Sequence, residues 1–484
     1  MTRSILCLST ALGLSLIALM PAKAASPEAV LESKLRAIET VLDTQLAHEA
    51  VPGAAFGIVA DQDLVWSHTF GVEDLGTRRA VSEDTAFSIC SISKLFTGIA
   101  VMDLEERGVL DIDAPITAYL GDDGGTADGV TVRNLLSHVS GLPREGETDF
   151  WFTNNFPDDA TLRADISGRT DWYQPYDHWQ YSNLGMAALG QVIQAASGQS
   201  FHDYVDARIL RPLNMGNTTT DMPFDKVGQG FARGYYVRDS KGARKPVEAH
   251  RFDAFAPAAG VASSVNDLAK FMAWHFRLRD ADSEEVLKPD TLKTMQRVHW
   301  TGEDFDEPAW GLAYATRRLD GKTLWGHGGY CPGTVAEFTM RNPDKVGVIV
   351  MATANDVSAG GMARMIHSMV RDDVKAVHMK EADADSDDKA DREDDTSFVA
   401  YEGVYSRPNY DWAVYVGLSS KGLFAVPLHD DRPHENVETF RHEEGDVFIR
   451  KRDNGSDAEP LRFERDNTGR IVSVVSGGYR LMRE

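Results

Sequence analysis

The chain has 484 residues, 42% of them apolar, and a formal net charge of −24 at pH 7. That length leaves room for two to three domains and a sizeable core. The acidic balance argues against a phosphate-backbone partner, so no nucleic acid is expected, and the charge reads as an aid to solubility.

The pattern of residues 1–24 is that of a secretory signal. Arg3 supplies the positive start, Ile5 to Met20 the apolar stretch, and Ala22-Lys23-Ala24 the cleavage site. The apolar stretch is short for a bilayer span, and no later run is long and apolar enough for one. The expectation is a secreted or periplasmic protein without stable membrane insertion. In an oxidising compartment the two cysteines beyond the leader, Cys90 and Cys331, permit one disulfide.

Residues 28–49 predict an amphipathic helix, with Leu31, Leu35, Ile38, Leu42 and Leu46 at helical spacing. Gly53–Asp61 and Leu64–Phe70 predict a hairpin around Asp61-Gln62-Asp63. Ser91–Glu106 predicts a helix stopped by Gly108. A long middle section, rich in Trp, Tyr and Pro, reads as helical pieces and loops. Strands return at Trp310–Arg317, Thr323–Trp325, Thr334–Arg341 and Val346–Ala352, with a turn cluster at 342–345. Residues 360–378 predict a closing helix. A sheet built from both ends of a domain, with helical material inserted between, is an α/β arrangement with a helical lobe.

Residues 381–395 hold nine acidic positions in fifteen and read as part of a solvated linker, 381–397. Beyond it, residues 398–484 show six short strand patterns, at 413–419, 423–428, 438–441, 447–450, 461–465 and 471–475. Turn signals at Asn454-Gly455 and 467–469 separate some of them, which suggests a small antiparallel barrel. The domains expected are therefore the leader 1–24, a main domain 25–380, the linker and the barrel.

Chemistry concentrates at Ser91 and Lys94. Three residues apart on a helix, they share a face. Ser91 at the first turn meets unpaired backbone N–H groups and the positive end of the helix dipole, a setting that favours an attacking oxygen. Lys94 accepts the Ser91 proton if burial and neighbouring charge lower its pKa. The spacing alone proves little, because Ser386 and Lys389 repeat it inside the linker. Two further motifs add context. Tyr181-Ser182-Asn183 opens an apolar helical run, and Gly326-His327-Gly328-Gly329 lies between two late strand patterns.

In this order the motifs resemble the serine β-lactamase and penicillin-binding-protein family, nearest to class C β-lactamases. Within that group the chain is similar to DD-carboxypeptidases, D-aminopeptidases and β-lactamase-like esterases. Residues 131–143 and 257–273 resemble further family segments, and the resemblance covers about residues 28–378. It implies an antiparallel sheet flanked by helices, with an all-helical lobe. It also implies an exported serine hydrolase that forms an acyl-enzyme on small esters or D-amino-acid amides and peptides. Ser91 would be the nucleophile and Lys94 its base. Tyr181 would relay protons if Lys94 depresses its pKa, and Asn183 would orient Lys94 and the substrate. The backbone N–H groups of Ser91 and Tyr330 would form the oxyanion hole. His327, with Gly328 and Gly329, would line the pocket opposite Ser91 and meet a substrate carboxylate or leaving group. No metal or organic cofactor is expected, and the partner is a small-molecule or peptide substrate; the sequence leaves the oligomeric state open.

The family's β-lactamases usually carry Lys-Thr-Gly where this chain has His327-Gly328-Gly329, which weakens the β-lactamase alternative and favours peptidases and esterases. A DD-carboxypeptidase, or a penicillin-binding sensor that acylates without turnover, also stays open. Of the aromatics at Trp151, Phe152, Trp172, Tyr173, Tyr176 and Trp179, a groove wall and plain loop packing are equally good readings. His138 reads as structural. Cys90 and Cys331 flank the two oxyanion donors, as the cysteines of some class A serine carbapenemases do; the resemblance implies a bridge between them, with two buried, unpaired thiols an equally good reading. The terminal unit resembles the lipocalin-like barrel appended to some D-aminopeptidases.

Overall fold

The computed structural model describes residues 25–121, 129–147, 150–167, 173–248, 250–301, 309–379, 396–407, 410, 412–430, 432–452 and 456–484. The leader, most of the linker, Trp172 and the Asn454-Gly455 turn lie outside the described residues.

The first helix, α1 (Pro27–His48), starts where the Ser26 side chain accepts from the Ala29 N–H and Pro27 fits the first turn. Its buried stripe includes Leu31, Ile38, Val41, Leu42 and Leu46. The hairpin follows as β1 (Gly53–Ala60) and β2 (Asp63–Gly71), reversed at Asp61 with φ +49°. Then come α2 (Ser93–Glu106), α3 (Asn183–Ser197) and α4 (Val265–Asp280), with shorter helices between them. The late strands are β3 (Ala309–Trp310), β4 (Ala315–Leu319), β5 (Lys322–Cys331), β6 (Thr334–Arg341) and β7 (Val346–Ala352), and α5 (Ala359–His378) follows them.

The strands form one antiparallel sheet in the order β2-β1-β7-β6-β5-β4-β3. Strand β1 pairs with β7 from Ala54↔Ala352 to Ala60↔Val346, so the two ends of the main region do share a sheet. Both β1 and β7 are buried along their whole length. Apolar side chains on one face pack on α1 and α5, and those on the other meet the helical lobe.

Two strand expectations change. The single strand expected over 310–317 is two, because the chain reverses at Ala313 with φ +65°. The short strand expected at 323–325 runs on through Cys331, carrying the glycine motif inside it. Glycines usually weaken a strand pattern, but here they are spaces that neighbours fill. A Cβ at Gly326 would collide with the Phe338 carbonyl, and one at Gly329 with the Ile89 carbonyl. Pairing with β6 stays unbroken from Trp325↔Met340 to Cys331↔Thr334.

The C-terminal region is a closed eight-stranded antiparallel barrel spanning Gly403–Arg483. Two of its strands, Gly403–Arg407 and Tyr479–Arg483, add to the six expected and close it through Tyr405↔Arg483 and Ser406↔Met482. Its interior is filled by side chains, among them Tyr405, Leu423, Phe440, Phe448, Phe463 and Leu481. The barrel docks on α1. The fully buried Ser33 hydroxyl donates to Glu402 Oε1 at 2.9 Å and accepts from the Leu418 N–H at 2.8 Å. Gly417 leaves the space that Ser33 occupies.

Candidate active site

Ser91 sits on a 3₁₀ turn, Cys90–Ile92, that leads directly into α2. Cys90 holds φ +52°, a left-handed conformation unfavourable for a residue with a Cβ, so the turn is strained beside Ser91. The surroundings hold it in place. The Ser93 hydroxyl donates to the Cys90 carbonyl at 2.5 Å and accepts from the Val261 N–H at 3.0 Å. Cys90 and Cys331 are joined, with Cα atoms 5.6 Å apart, which ties the turn to the end of β5. Gly329 lies against Ile89 on the same strand, bringing the neighbouring Tyr330 backbone beside the serine turn.

Lys94 is fully buried. Its side-chain nitrogen lies 2.7 Å from Asn183 Oδ1, 2.7 Å from the Ala258 carbonyl and 3.2 Å from Ser91 Oγ. Burial holds its pKa well below the usual lysine range, Glu145 opposes that shift, and Arg144 reinforces it. A neutral amine in contact with a hydroxyl can take its proton. Asn183 is placed by the start of α3, where the Ser182 side chain caps the helix by accepting from the Gly185 N–H. Its amide nitrogen donates to Glu145 Oε1 at 2.6 Å.

The Tyr181 ring lies 4.8 Å from Lys94 Nζ and 4.9 Å from the Arg144 guanidinium carbon, and its hydroxyl shares a hydrogen bond with Ser91. The expected depression of its pKa by Lys94 is reversed. Burial pushes the phenol up, and the Ser91 hydrogen bond and the Arg144 charge offset that only in part. Tyr181 therefore rests as a phenol that can pass a proton on.

His327 packs within reach of the Tyr181 and Trp310 rings. Its Nδ1 lies 2.6 Å from the Gly328 carbonyl and so carries the proton, which leaves the buried Nε2 as an unpartnered acceptor. Burial, as the largest cause, pulls its pKa down to about 3. It offers no positive charge to a carboxylate; its lone pair suits an N–H or O–H. His138 sits in the supporting layer, its Nδ1 accepting from the Ser182 N–H at 3.2 Å.

Ser91, Tyr181, His327, Gly328, Gly329 and Tyr330 line one cavity of about 520 Å³. Apart from Trp179, its remaining walls were not legible in the sequence. Arg144, Trp179 and Trp310 form one side; Arg317 and Glu337, paired at 2.7 Å, and residues 357–360 at the start of α5 form another. Of the six aromatics weighed as a groove wall, Trp179 serves as one, stacked on Trp310 at 5.1 Å. Trp151 instead packs among Phe150, Phe156 and Phe252, while Phe152, Tyr173 and Tyr176 are exposed. Glu145 carried no signal of its own: an Arg-Glu pair in a loop looks like any surface pair. Among the described residues no group of three His, Cys, Asp or Glu side chains is placed to hold a metal ion.

Residues 38–368 match the family described as Beta-lactamase. The chain belongs to this family of serine hydrolases. Penicillin-binding protein 4* of Bacillus subtilis (strain 168) is 32% identical over 165 residues, covering 32% of this chain and 35% of that protein. Protein flp of Staphylococcus aureus (strain MW2) is 26% identical over 328 residues, 66% of this chain and 63% of that one. The chain thus matches less than two thirds of the length of either relative. Among solved structures, the octameric penicillin-binding protein homologue of Pyrococcus abyssi superimposes with TM-score 0.62 at 21% identity, covering 93% of this chain and 100% of that one. A class C β-lactamase gives TM-score 0.61 at 17% identity, covering 70% and 97%. A D-stereospecific amidohydrolase from Streptomyces sp. gives 0.58 at 21%, covering 70% and 98%. At these identities the three structures establish a shared fold.

Proposed function

We propose that this β-lactamase-family chain is an exported hydrolase that works through an acyl-enzyme on small esters or D-amino-acid amides and peptides. The observation that carries the mechanism is the 3.2 Å contact between Lys94 Nζ and Ser91 Oγ, in a pocket where burial favours the neutral amine. Ser91 Oγ attacks the substrate carbonyl and gives its proton to Lys94. The oxyanion that forms accepts hydrogen bonds from the backbone N–H groups of Ser91 and Tyr330. The proton returns to the leaving group through Tyr181, and water, deprotonated along the same route, releases the acid and restores Ser91. Support for amides of D-amino acids comes from the Streptomyces neighbour, described as D-stereospecific. The neutral His327 is a poor partner for the carboxylate of a β-lactam, which places β-lactam turnover below ester and amide turnover. Export rests on the leader pattern, and no described helix is long and apolar enough to cross a membrane.

The test is a panel of a short-chain nitrophenyl ester, a D-alanine anilide, a D-Ala-D-Ala peptide and a chromogenic cephalosporin, run with wild type and Ser91→Ala. Steady turnover of an ester or D-amide, falling roughly 10³-fold or more in the variant, is the expected result. A single stoichiometric burst would mark a sensor, and turnover unchanged by Ser91→Ala would sink the mechanism.

A further inference from the structure

The groups around Lys94 come from every element that packs on it. Ser91 precedes it on its own turn; Tyr181 and Asn183 stand at the start of α3; the Ala258 carbonyl belongs to the short helix before α4. His327 comes from β5, while His138, Arg144 and Glu145 come from the helical lobe. His327 and His138 are held neutral by burial. The formal charges left beside the amine are one anion, Glu145, and one cation, Arg144, which pair with each other at 3.3 Å.

The hydrogen bonds run in a fixed direction. An ionised carboxylate only accepts. Glu145 Oε1 therefore takes the N–H end of the Asn183 amide, at 2.6 Å, and the oxygen end must face Lys94, at 2.7 Å. An amide turned the other way would aim N–H groups at the lysine and remove one of its three acceptors. Asn183 by itself has no such preference, since its two ends are nearly the same size.

We propose that Glu145 is a positioning residue: through Asn183 it fixes which end of the amide faces Lys94, and together with Arg144 it sets the charge around that amine. The inference rests on Lys94 serving as the base for Ser91. Burial alone would leave the amine neutral but fix its titration far down the scale. The Glu145 charge raises it again and Arg144 lowers it. The two side chains are thus opposed controls on the pH at which Ser91 becomes reactive. Glu145 is itself held above the usual carboxylate range, chiefly by burial, and the Trp151 and Asn183 side chains, more than the Arg144 charge, oppose that shift.

The test uses the full chain and reads the rate at which a fluorophosphonate labels Ser91 as a function of pH, beside kcat/KM for a nitrophenyl ester. Glu145→Gln keeps the shape but removes the anion, so the acidic limb moves to lower pH. Its maximum rate drops roughly tenfold as the Asn183 orientation is lost. Arg144→Gln removes the cation, so the limb moves to higher pH. Glu145→Asp, which keeps the charge, restores most of the wild-type limb. Opposite movements from two neighbouring substitutions are not the mark of a merely structural role. Limbs that coincide in wild type, Glu145→Gln and Arg144→Gln would overturn the proposal while leaving the hydrolase reading intact. Absence of Ser91 labelling in all the proteins would remove both. If Glu145→Gln does not fold, the Arg144→Gln limb decides alone, because Arg144 is exposed.

Discussion

Around Ser91 the chain buries an amine, two neutral imidazoles and a strained turn, whereas none of the described Asp, Glu, Lys and Arg side chains of the barrel is buried. There, pairs such as Arg465–Asp446 and Arg480–Glu464 ride on the surface of a core built from rings and aliphatic side chains. One region gives up stability to hold Lys94 out of water. The other region shows what an unburdened core looks like. The two are joined along α1, so a single protein carries its own control.

Substitutions in the two cores should therefore have opposite signatures. Lys94→Met should lower kcat/KM by roughly 10³-fold and leave the melting temperature unchanged or higher, because an apolar chain replaces a buried amine. Phe448→Ala in the barrel should destabilise by about 3–5 kcal/mol and leave kcat/KM of the folded protein near wild type. Calorimetry and steady-state kinetics on both variants check the contrast; a Phe448→Ala enzyme that stays stable but loses turnover would break it.

The link between Cys90 and Cys331 closes a loop across a sequence separation of 241. Replacing both with serine should cost about 2–5 kcal/mol, and the loss should fall on the main region, leaving the barrel transition in place. It should also reduce turnover, since the strained Cys90 turn and β5 are then free to separate. Peptide mapping without reductant should recover the two cysteines in one linked fragment.

The smallest effect concerns acid. Burial pulls His275 and His367 from the ordinary 6.5 down to about 4. Below about 6.5 the unfolded chain gains protons at these sites that the folded chain refuses. The stability present above that pH is therefore lost as pH falls from 6.5 towards 4. Both lie in the main region, on α4 and α5. Its melting temperature should drop across this window while the barrel transition moves less, and a barrel that melts first in acid would contradict the contrast.

Much of the arrangement around Ser91 was legible because it follows helix geometry. Ser91 and Lys94 share a face through a spacing of three, and Asn183 stands at a helix start marked by the Ser182 cap. The walls of the cavity follow the register of the sheet, which no local pattern carries. Arg317 and Glu337 meet across β5 because Gly328, opposite Glu337, leaves the room. The same limit hid the barrel's first and last strands. Gly403–Arg407 and Tyr479–Arg483 alternate weakly, with Arg407 half-buried and Arg480 exposed, and they become strands by pairing with one another across the closure. For Trp151 and Tyr176 the sequence left a groove wall and loop packing equally open, and only tertiary contacts place Trp151 against Phe156 and leave Tyr176 exposed.

The press of Gly329 against the Ile89 carbonyl limits how this chain can diversify. No L-amino-acid side chain can be introduced there without pushing the serine turn away from β5, so the floor of the cleft is closed to change. New selectivity, whether evolved or engineered, has to be written on its rim: the loop at Arg144, the hairpin at Trp310 and the first turn of α5.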